Sequence, residues 1–316
     1  MAIDRFGRNI HYLRISLTDH CNLRCIYCMP EDMTFRPNAD LMQDDEILAF
    51  TRLFASLGFD KIRLTGGEPT VRANVVDLVR SIASTEGIRS VSMTTNGLLL
   101  KKLAQPLAVA GLQRVNVSID TLDPAKFKRL TRWGKLDDVW EGILAAEKAG
   151  LAPVKLNAVV VKGYNEDDVV DLAALTINHP WQMRFIEMMP FAGATDIQIN
   201  QVITMKQIQQ NIESEFGKLE VANGGKLDGE AQVFHIPQAK AISVLFRRSR
   251  ILFVRLARVP ALHPMENYAC AFCVKKKWTC SHPCAPGRRS KNYANSCLTA
   301  FGKNPGDMDL QTVSFR

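Results

Sequence analysis

Short apolar runs alternate with amphipathic stretches along most of the chain, and this alternation restricts the possible folds more than any other feature. Runs rich in β-branched residues predict strands at 12–17, 61–64, 90–94, 114–118, 154–161 and 183–186. Helical periodicity predicts helices at 44–57, 74–84, 98–110, 124–130, 136–149 and 167–175. Six strand–helix repeats imply a parallel sheet with right-handed crossovers. The pattern alone does not separate an open sheet from a barrel.

Residues at the ends of the predicted helices support their bounds. Asp123 is an expected N-cap, and Pro124 suits the first position of the helix that follows. Gly111 and Gly150 stand where glycine commonly ends a helix. These residues predict turns that return the chain to the next strand.

Polar, cysteine and glycine motifs follow the ends of the predicted strands. They are, in chain order, the segment from Cys21 to Cys28, Gly66-Gly67, Thr94 to Asn96, Ser118 with Asp120, and Glu187 to Met189. The carboxyl ends of parallel strands meet at one edge, where barrel enzymes assemble their active sites. We therefore expect one functional site at this edge.

The cysteines in this set have the spacing Cys21-x3-Cys25-x2-Cys28. Thiolates suit iron–sulfur clusters or zinc. A structural zinc needs a fourth ligand, and His20 is adjacent to Cys21, so their side chains would diverge. Three cysteines on a 4Fe–4S cluster would leave one iron open to a small molecule, and we favour this interpretation over zinc.

The motifs together carry a family resemblance that covers residues 4–240. Its elements are Arg14-Ile15-Ser16, Cys-x3-Cys-x-Tyr-Cys, Lys61-Ile62-Arg63-Leu64-Thr65, Gly66-Gly67-Glu68-Pro69, Met93-Thr94-Thr95-Asn96-Gly97, Asn116-Val117-Ser118-Ile119-Asp120 and Glu187-Met188-Met189-Pro190. This ordered set resembles the GTP 3',8-cyclase family of radical S-adenosylmethionine (SAM) enzymes. The resemblance implies a partial (β/α)6 barrel and a 4Fe–4S cluster that binds SAM at its open iron. It also implies cyclisation of GTP to (8S)-3',8-cyclo-7,8-dihydroguanosine 5'-triphosphate, the first step of molybdenum cofactor biosynthesis.

The resemblance also assigns site residues. Those expected to contact SAM are Tyr27, Gly67, Ser118 and Met189, and those expected to contact GTP are Arg14, Arg63, Thr94 and Lys155. Structural roles compete with each assignment. Gly66-Gly67 could be an ordinary turn, Met189 could be part of the core, and any one cation could form a surface salt bridge. Two glycines followed by Glu68-Pro69 still favour close approach of the backbone to a ligand. Three cations in one barrel mouth nevertheless favour a polyanionic substrate.

Charge and hydropathy exclude some functions. No long apolar run predicts a membrane span, and the N-terminus lacks the apolar segment of a signal peptide, so we expect a cytoplasmic protein. The net charge of +8 arises in residues 241–316, which carry 13 Lys and Arg against 3 Asp and Glu. We therefore expect no nucleic-acid partner. The resemblance implies a flavodoxin- or ferredoxin-type electron donor and a downstream cyclic pyranopterin monophosphate synthase, and it allows a homodimer.

The segment after residue 240 departs from the family pattern. The family continues approximately as F-C-x-x-C-x-R-x-R-L-T-x-D-G-K-L-R-x-C-L-L, whose cysteines bind a second 4Fe–4S cluster, and these ligands are absent here. The chain instead carries Cys270, Cys273, Cys280 and Cys284. Taken literally, they indicate a basic zinc-binding module, which is the non-enzymatic alternative. The enzymatic alternative is a radical SAM maturase of another specificity.

A one-base shift of the reading frame explains the tail better than a zinc site does. Four residue pairs force their shifted product whatever codons are used: Met265-Glu266 gives Gly, Asn267-Tyr268 and Phe272-Cys273 give Leu, and Trp278-Thr279 gives Asp. The other positions permit C-S-S-C-A-R-T-R-L-T-P-D-G-K-L-R-L-C-L-L. We interpret 1–225 as the core barrel, 226–240 as the start of the auxiliary-cluster region, and 241–316 as a frameshifted tail without regular strands.

Overall fold

Six parallel strands, each followed by at least one helix, form the centre of the protein. The computed structural model describes residues 2–3, 9–188, 201–222, 231–237, 244–247 and 268–272. The central strands are β3 (Tyr12–Ser16), β4 (Lys61–Thr65), β5 (Ser90–Thr95), β6 (Arg114–Ser118), β7 (Lys155–Val160) and β8 (Gln182–Glu187). The helices are α1 (Asp44–Ser56), α2 (Val75–Ala83), α3 (Leu100–Val109), α4 (Pro124–Thr131), α5 (Leu136–Lys148), α6 (Val169–Asn178) and α7 (Met205–Phe216). This is a partial (β/α)6 barrel, as predicted.

Further strands extend the sheet at both sides. They are β9 (Glu220–Val221), β10 (Ala231–His235), β11 (Val244–Arg247) and β12 (Tyr268–Phe272), and β1 (Ala2–Ile3) and β2 (Asn9–Ile10) form a separate antiparallel pair. The sheet order is β12-β3-β4-β5-β6-β7-β8-β11-β10-β9. Strand β12 pairs in parallel with β3, and β11 pairs in parallel with β8. We expected no regular strand after residue 240, and β11 and β12 show that this expectation is wrong for their residues.

The main core lies between the sheet and its helices, because each central strand presents alternate residues to that side. In β7, Leu156, Ala158 and Val160 are fully buried, whereas the residues between them are partly exposed on the opposite face. The same alternation in β8 buries Met183 and Phe185. The helix-facing side is therefore apolar, and polar side chains are directed to the concave side.

The predicted helix ends are confirmed at three positions. The Asp123 carboxylate accepts a hydrogen bond from the backbone N–H of Lys126 at 2.8 Å, so it caps α4 ahead of Pro124. Gly111 and Gly150 follow α3 and α5 with φ of +101° and +77°, the region that glycine adopts most easily. No helix among the described residues is long and apolar enough to cross a membrane.

Candidate functional site

The predicted motifs lie together at the carboxyl edge of the central strands. The cysteine loop follows β3, and the loop that begins with Gly66-Gly67 follows β4. Backbone hydrogen bonds join these two loops, from Gly67 N to Thr18 O at 2.7 Å and from Glu68 N to His20 O at 2.8 Å. The two loops therefore meet at this edge, and a single functional site there stays a prediction.

The three cysteines of the loop are free thiols. Cys21 and Cys25 are partly buried and Cys28 is exposed, and a turn bonds Cys28 N to Cys25 O at 2.9 Å. Burial raises the pKa of all three thiols, most strongly at Cys25. Neutral thiols are poor ligands, and a bound metal would supply the positive charge that deprotonates them. The loop thus has the ligands and the local environment of a metal site.

The donor set of the loop suits an iron–sulfur cluster. Its three side-chain donors are thiols, and thiolates are the usual ligands of such clusters. Two donors already face the Cys21 sulfur, the N–H of Leu23 at 3.4 Å and the Asn96 amide at 3.9 Å. Such hydrogen bonds are typical of cluster ligands.

Arg24, between two of the cysteines, fixes the shape of the loop. Its guanidinium donates to the carbonyl of Cys21 at 2.8 Å and to that of Glu31 at 3.1 Å. Its Cζ lies 4.6 Å from the centre of the Phe35 ring and 4.2 Å from that of Trp133. Hydrogen bonds from a charged donor are stronger than those between neutral groups. The attraction between the guanidinium and the two aromatic rings adds to them. The loop backbone is therefore braced from inside, a role that the motif spacing did not reveal.

Gly66 and Gly67 allow the second loop to approach the backbone of the first. A Cβ at Gly66 would lie 2.4 Å from Thr18 O, and one at Gly67 would lie 2.3 Å from His20 O. Real Cβ atoms essentially never come so close. The glycines were predicted to permit close approach to a ligand, and the structure shows close approach to the cysteine loop. A contact between Gly67 and SAM stays a prediction.

Replacement of Gly67 by alanine is expected to displace the cysteine loop and to lower the iron bound per chain. The added methyl group would overlap two backbone oxygens, and overpacking of this kind costs about 1–3 kcal/mol of stability. Iron content after anaerobic reconstitution and Tm measure the effect. Gly163→Ala is the control for iron content, because nothing lies within 4 Å of the added Cβ. Its φ of +80° is expected to lower Tm by backbone strain, so a fall in Tm without a fall in iron content is expected there. Normal iron loading in Gly67→Ala would show that the two loops are not coupled.

Glu68 joins the second loop to the end of β5. The side chain is 1% exposed, and its carboxylate accepts from Thr70 N at 3.0 Å, from the Thr95 hydroxyl at 2.7 Å and from Asn96 N at 2.6 Å. Burial raises the pKa of Glu68, and these hydrogen bonds oppose that shift. Asn96 in turn contacts Cys21. A buried carboxylate thus holds the strand ends in register around the cysteine loop.

Tyr27 connects the cysteine loop to β6 and β7. Its hydroxyl donates to Asp120 at 2.7 Å, and the other Asp120 oxygen accepts from Val159 N at 2.9 Å. Burial raises the pKa of Asp120 to about 6 and that of Tyr27 well above its ordinary value. The Tyr27 side chain therefore has a structural partner. Among the other predicted SAM contacts, Ser118 ends β6 on the concave side, and Met189 lies outside the described residues.

The four predicted GTP contacts lie on the concave face of the sheet. Arg14 on β3 pairs directly with Arg63 on β4. The β5 residue that pairs with Arg63 comes two positions before Thr94 in the same strand. Thr94 and Lys155 share a register partner on β6. Register partners, and residues two apart on a strand, point to the same side. The structure thus brings these side chains to one face.

Arg184 is a fourth cation on this face, and the sequence reasoning missed it. It is the register partner of Asn157, which lies two residues after Lys155. Its neighbours Met183 and Phe185 are fully buried on the helix side. The alternation of apolar and polar residues in β8 could have indicated its direction, but no motif drew attention to it.

Comparison with known proteins agrees with this site. The family model of the Radical SAM superfamily matches residues 15–176, which contain the cysteine loop and the strands through β7. GTP 3',8-cyclase of Thermodesulfovibrio yellowstonii is 47% identical over 239 residues, 75% of this chain and 74% of that protein. GTP 3',8-cyclase of Peptoclostridium acidaminophilum is 43% identical over 98% of this chain and 94% of that protein.

This chain belongs to the GTP 3',8-cyclase family. A solved structure more distant than these cyclases, Streptococcus suis SuiB bound to S-adenosylmethionine, superposes with a TM-score of 0.60. That match is 15% identical and covers 83% of this chain and 57% of SuiB. It shows that this chain shares its fold with SuiB. The alignment to the Peptoclostridium cyclase extends beyond residue 240, and the one to the Thermodesulfovibrio cyclase covers three quarters of the chain.

Proposed function

We propose that this protein cyclises GTP to (8S)-3',8-cyclo-7,8-dihydroguanosine 5'-triphosphate, using SAM and a 4Fe–4S cluster on Cys21, Cys25 and Cys28. One observation carries the proposal: a face lined by four cations lies inside a barrel whose carboxyl edge holds the three-thiol loop. The thiols fit a cluster, and the cations fit a triphosphate. Membership of the cyclase family agrees with both assignments.

The cluster, when bound, supplies the electron that cleaves SAM to methionine and a 5'-deoxyadenosyl radical. The residues of the chain supply orientation. We assign SAM contacts to the Tyr27 backbone, Gly67, Ser118 and Met189. Ser118 lies on the same face as the cations. One residue of β6 pairs with both Thr94 and Lys155, and Ser118 comes two positions after it in that strand. SAM at the edge and GTP on the concave face would then be neighbours.

The GTP contacts that we propose are Arg14, Arg63, Thr94 and Lys155, with Arg184 as an addition. Several cations on one enclosed face repel one another and lose hydration. A triphosphate would relieve both costs, and guanidinium groups match phosphate oxygens in pairs. We infer that the triphosphate lies along this face and that the nucleoside extends towards the cysteine loop.

Replacement of Arg63 by alanine is expected to weaken GTP binding by about ten-fold or more, because a hydrogen bond to a charged group contributes about 1.5–3 kcal/mol. SAM cleavage should survive, since Arg63 lies on the strand and not in the cysteine loop. Calorimetric titration with GTP measures the change. Arg89→Ala is the control, because the Arg89 side chain is 82% exposed. Unchanged GTP affinity in Arg63→Ala would show that Arg63 has a structural role. If the parent chain does not bind GTP at all, the alternative of a radical SAM maturase with another substrate would be favoured.

We further infer a cytoplasmic location, a flavodoxin- or ferredoxin-type electron donor, and a downstream cyclic pyranopterin monophosphate synthase. A homodimer is compatible with these assignments. A second 4Fe–4S cluster would hold the purine end of GTP in the intact enzyme, and we propose that its ligands are lost through a frameshift near residue 241. Cys270 lies in β12, whereas Cys273, Cys280 and Cys284 lie outside the described residues, and we assign no metal to these four cysteines.

A further inference from the structure

Two of the cations on the concave face are held by one neutral side chain. Asn116, in β6, is 1% exposed. With the amide oriented as its neighbours require, Oδ1 accepts from Nη1 of Arg63 at 2.9 Å and from Nη1 of Arg184 at 2.9 Å. Arg63 lies in β4 and Arg184 in β8, on opposite sides of β6 and each separated from it by one strand. The curvature of the barrel brings the two guanidinium groups to the same amide oxygen.

This arrangement keeps two like charges close together. Because both Nη1 atoms lie 2.9 Å from one oxygen, their separation is at most twice that distance. An amide oxygen orients a guanidinium by a hydrogen bond but adds no negative charge. The Ser92 hydroxyl, 3.3 Å from Nε of Arg63, is also neutral.

A structural arginine of the same protein is held differently. Arg72 forms an ion pair with the carboxylate of Asp44 at 2.5 Å and donates to the carbonyl of Leu17 at 2.9 Å. These contacts join the loop after β4 to the start of α1 and to the end of β3, and the carboxylate offsets the arginine charge. At Asn116 an amide occupies the position where a carboxylate of equal size would fit. An amide at this position orients Arg63 and Arg184 without adding a negative charge of its own.

We infer that Asn116 is a positioning residue that fixes Arg63 and Arg184 as a paired clamp for the triphosphate of the substrate. This inference rests on the proposed function and adds to it. A guanidinium has five N–H donors, so each arginine keeps donors for phosphate oxygens after binding Asn116. The amide sets their spacing, and it adds no negative charge that would compete with phosphate.

Asn116→Asp and Asn116→Ala test the clamp in the full-length chain, with GTP, guanosine and inorganic tripolyphosphate as titrants. Aspartate has nearly the same shape and keeps both hydrogen bonds, but its charge competes with phosphate. We expect GTP and tripolyphosphate affinity to fall by at least about ten-fold in Asn116→Asp. Asn116→Ala keeps the net charge and loses the orientation, so a smaller fall is expected. Guanosine, which has no phosphate, should bind equally to all three proteins.

The outcomes separate this inference from the proposed function. A merely structural Asn116 predicts that aspartate is tolerated, since it would form two ion pairs and raise Tm. Wild-type GTP affinity in Asn116→Asp therefore overturns the clamp. If Asn116→Ala does not fold, the aspartate variant alone decides, because it conserves shape. If the parent chain binds guanosine, and binds neither GTP nor tripolyphosphate more tightly than guanosine, the proposed polyphosphate site fails as a whole.

Discussion

Replacement of Cys25 by alanine is expected to abolish the SAM-responsive iron–sulfur signal. Cys25 is the middle ligand of the loop and the thiol whose pKa burial raises most. A cluster with two protein ligands would be lost or incomplete. Iron content after anaerobic reconstitution should fall from close to four per chain to background, by the composition of a 4Fe–4S cluster. The EPR signal of the reduced protein should no longer change when SAM is added.

The matched control replaces a cysteine of the tail. Cys270→Ala should keep the iron content and the SAM-responsive signal of the parent chain, since Cys270 lies in β12 and not in the loop after β3. The opposite result, in which Cys270→Ala loses the signal and Cys25→Ala retains it, would move the cluster to the tail. That result would also revive the zinc or cluster site formed by the tail cysteines.

Restoration of the family reading frame after residue 240 is expected to produce the largest gain of activity. The restored segment contains C-S-S-C-A-R-T-R and a later cysteine, which are the ligands and arginines that the family pattern places there. The chain as it stands should cleave SAM but form little cyclised GTP, because the purine end of the substrate lacks its partner. The restored chain should bind a second cluster, and its iron content should rise to about twice that of the present chain.

Chromatography of the nucleotide products and DNA sequencing across codon 240 measure these effects. The control is the restored chain with its three restored cysteines replaced by alanine, which should return to the iron content of the present chain. Equal rates of GTP turnover in the present and restored chains would falsify both the frameshift and the auxiliary-cluster role.

The central fold could be predicted because its strands and helices each have a recognisable pattern within a short stretch of sequence. Runs rich in β-branched residues located all six strands of the barrel within one residue of their observed ends. Helix α7 was missed, although its capping box was readable in the sequence as Thr204-x-x-Gln207. Strands β11 and β12 were missed for a different reason. The segment after residue 240 shows no clean strand or helix period, and we interpret it as a frameshifted tail.

The site was likewise predictable only where its signal lies within a short stretch of sequence. The spacing of Cys21, Cys25 and Cys28 is local, and it indicated the loop without any structure. The roles of Arg24 and Asn116 depend on which groups lie around them in three dimensions. Arg24 needs Trp133, more than a hundred residues away, and Asn116 needs strands on both sides. The motif Asn116-Val117-Ser118-Ile119-Asp120 was recognised, but its first residue received no function.

The buried cation within the cysteine loop has a consequence for electron transfer. A cluster bound by three thiolates carries net negative charge, and each added electron makes it more negative. Arg24 holds a permanent positive charge at the loop and is one of the groups that lower the pKa of Cys21 against the larger effect of burial. The same field that favours the thiolate favours the reduced form of a cluster. The loop would therefore raise the reduction potential of its own metal centre, and a weaker electron donor could reduce it.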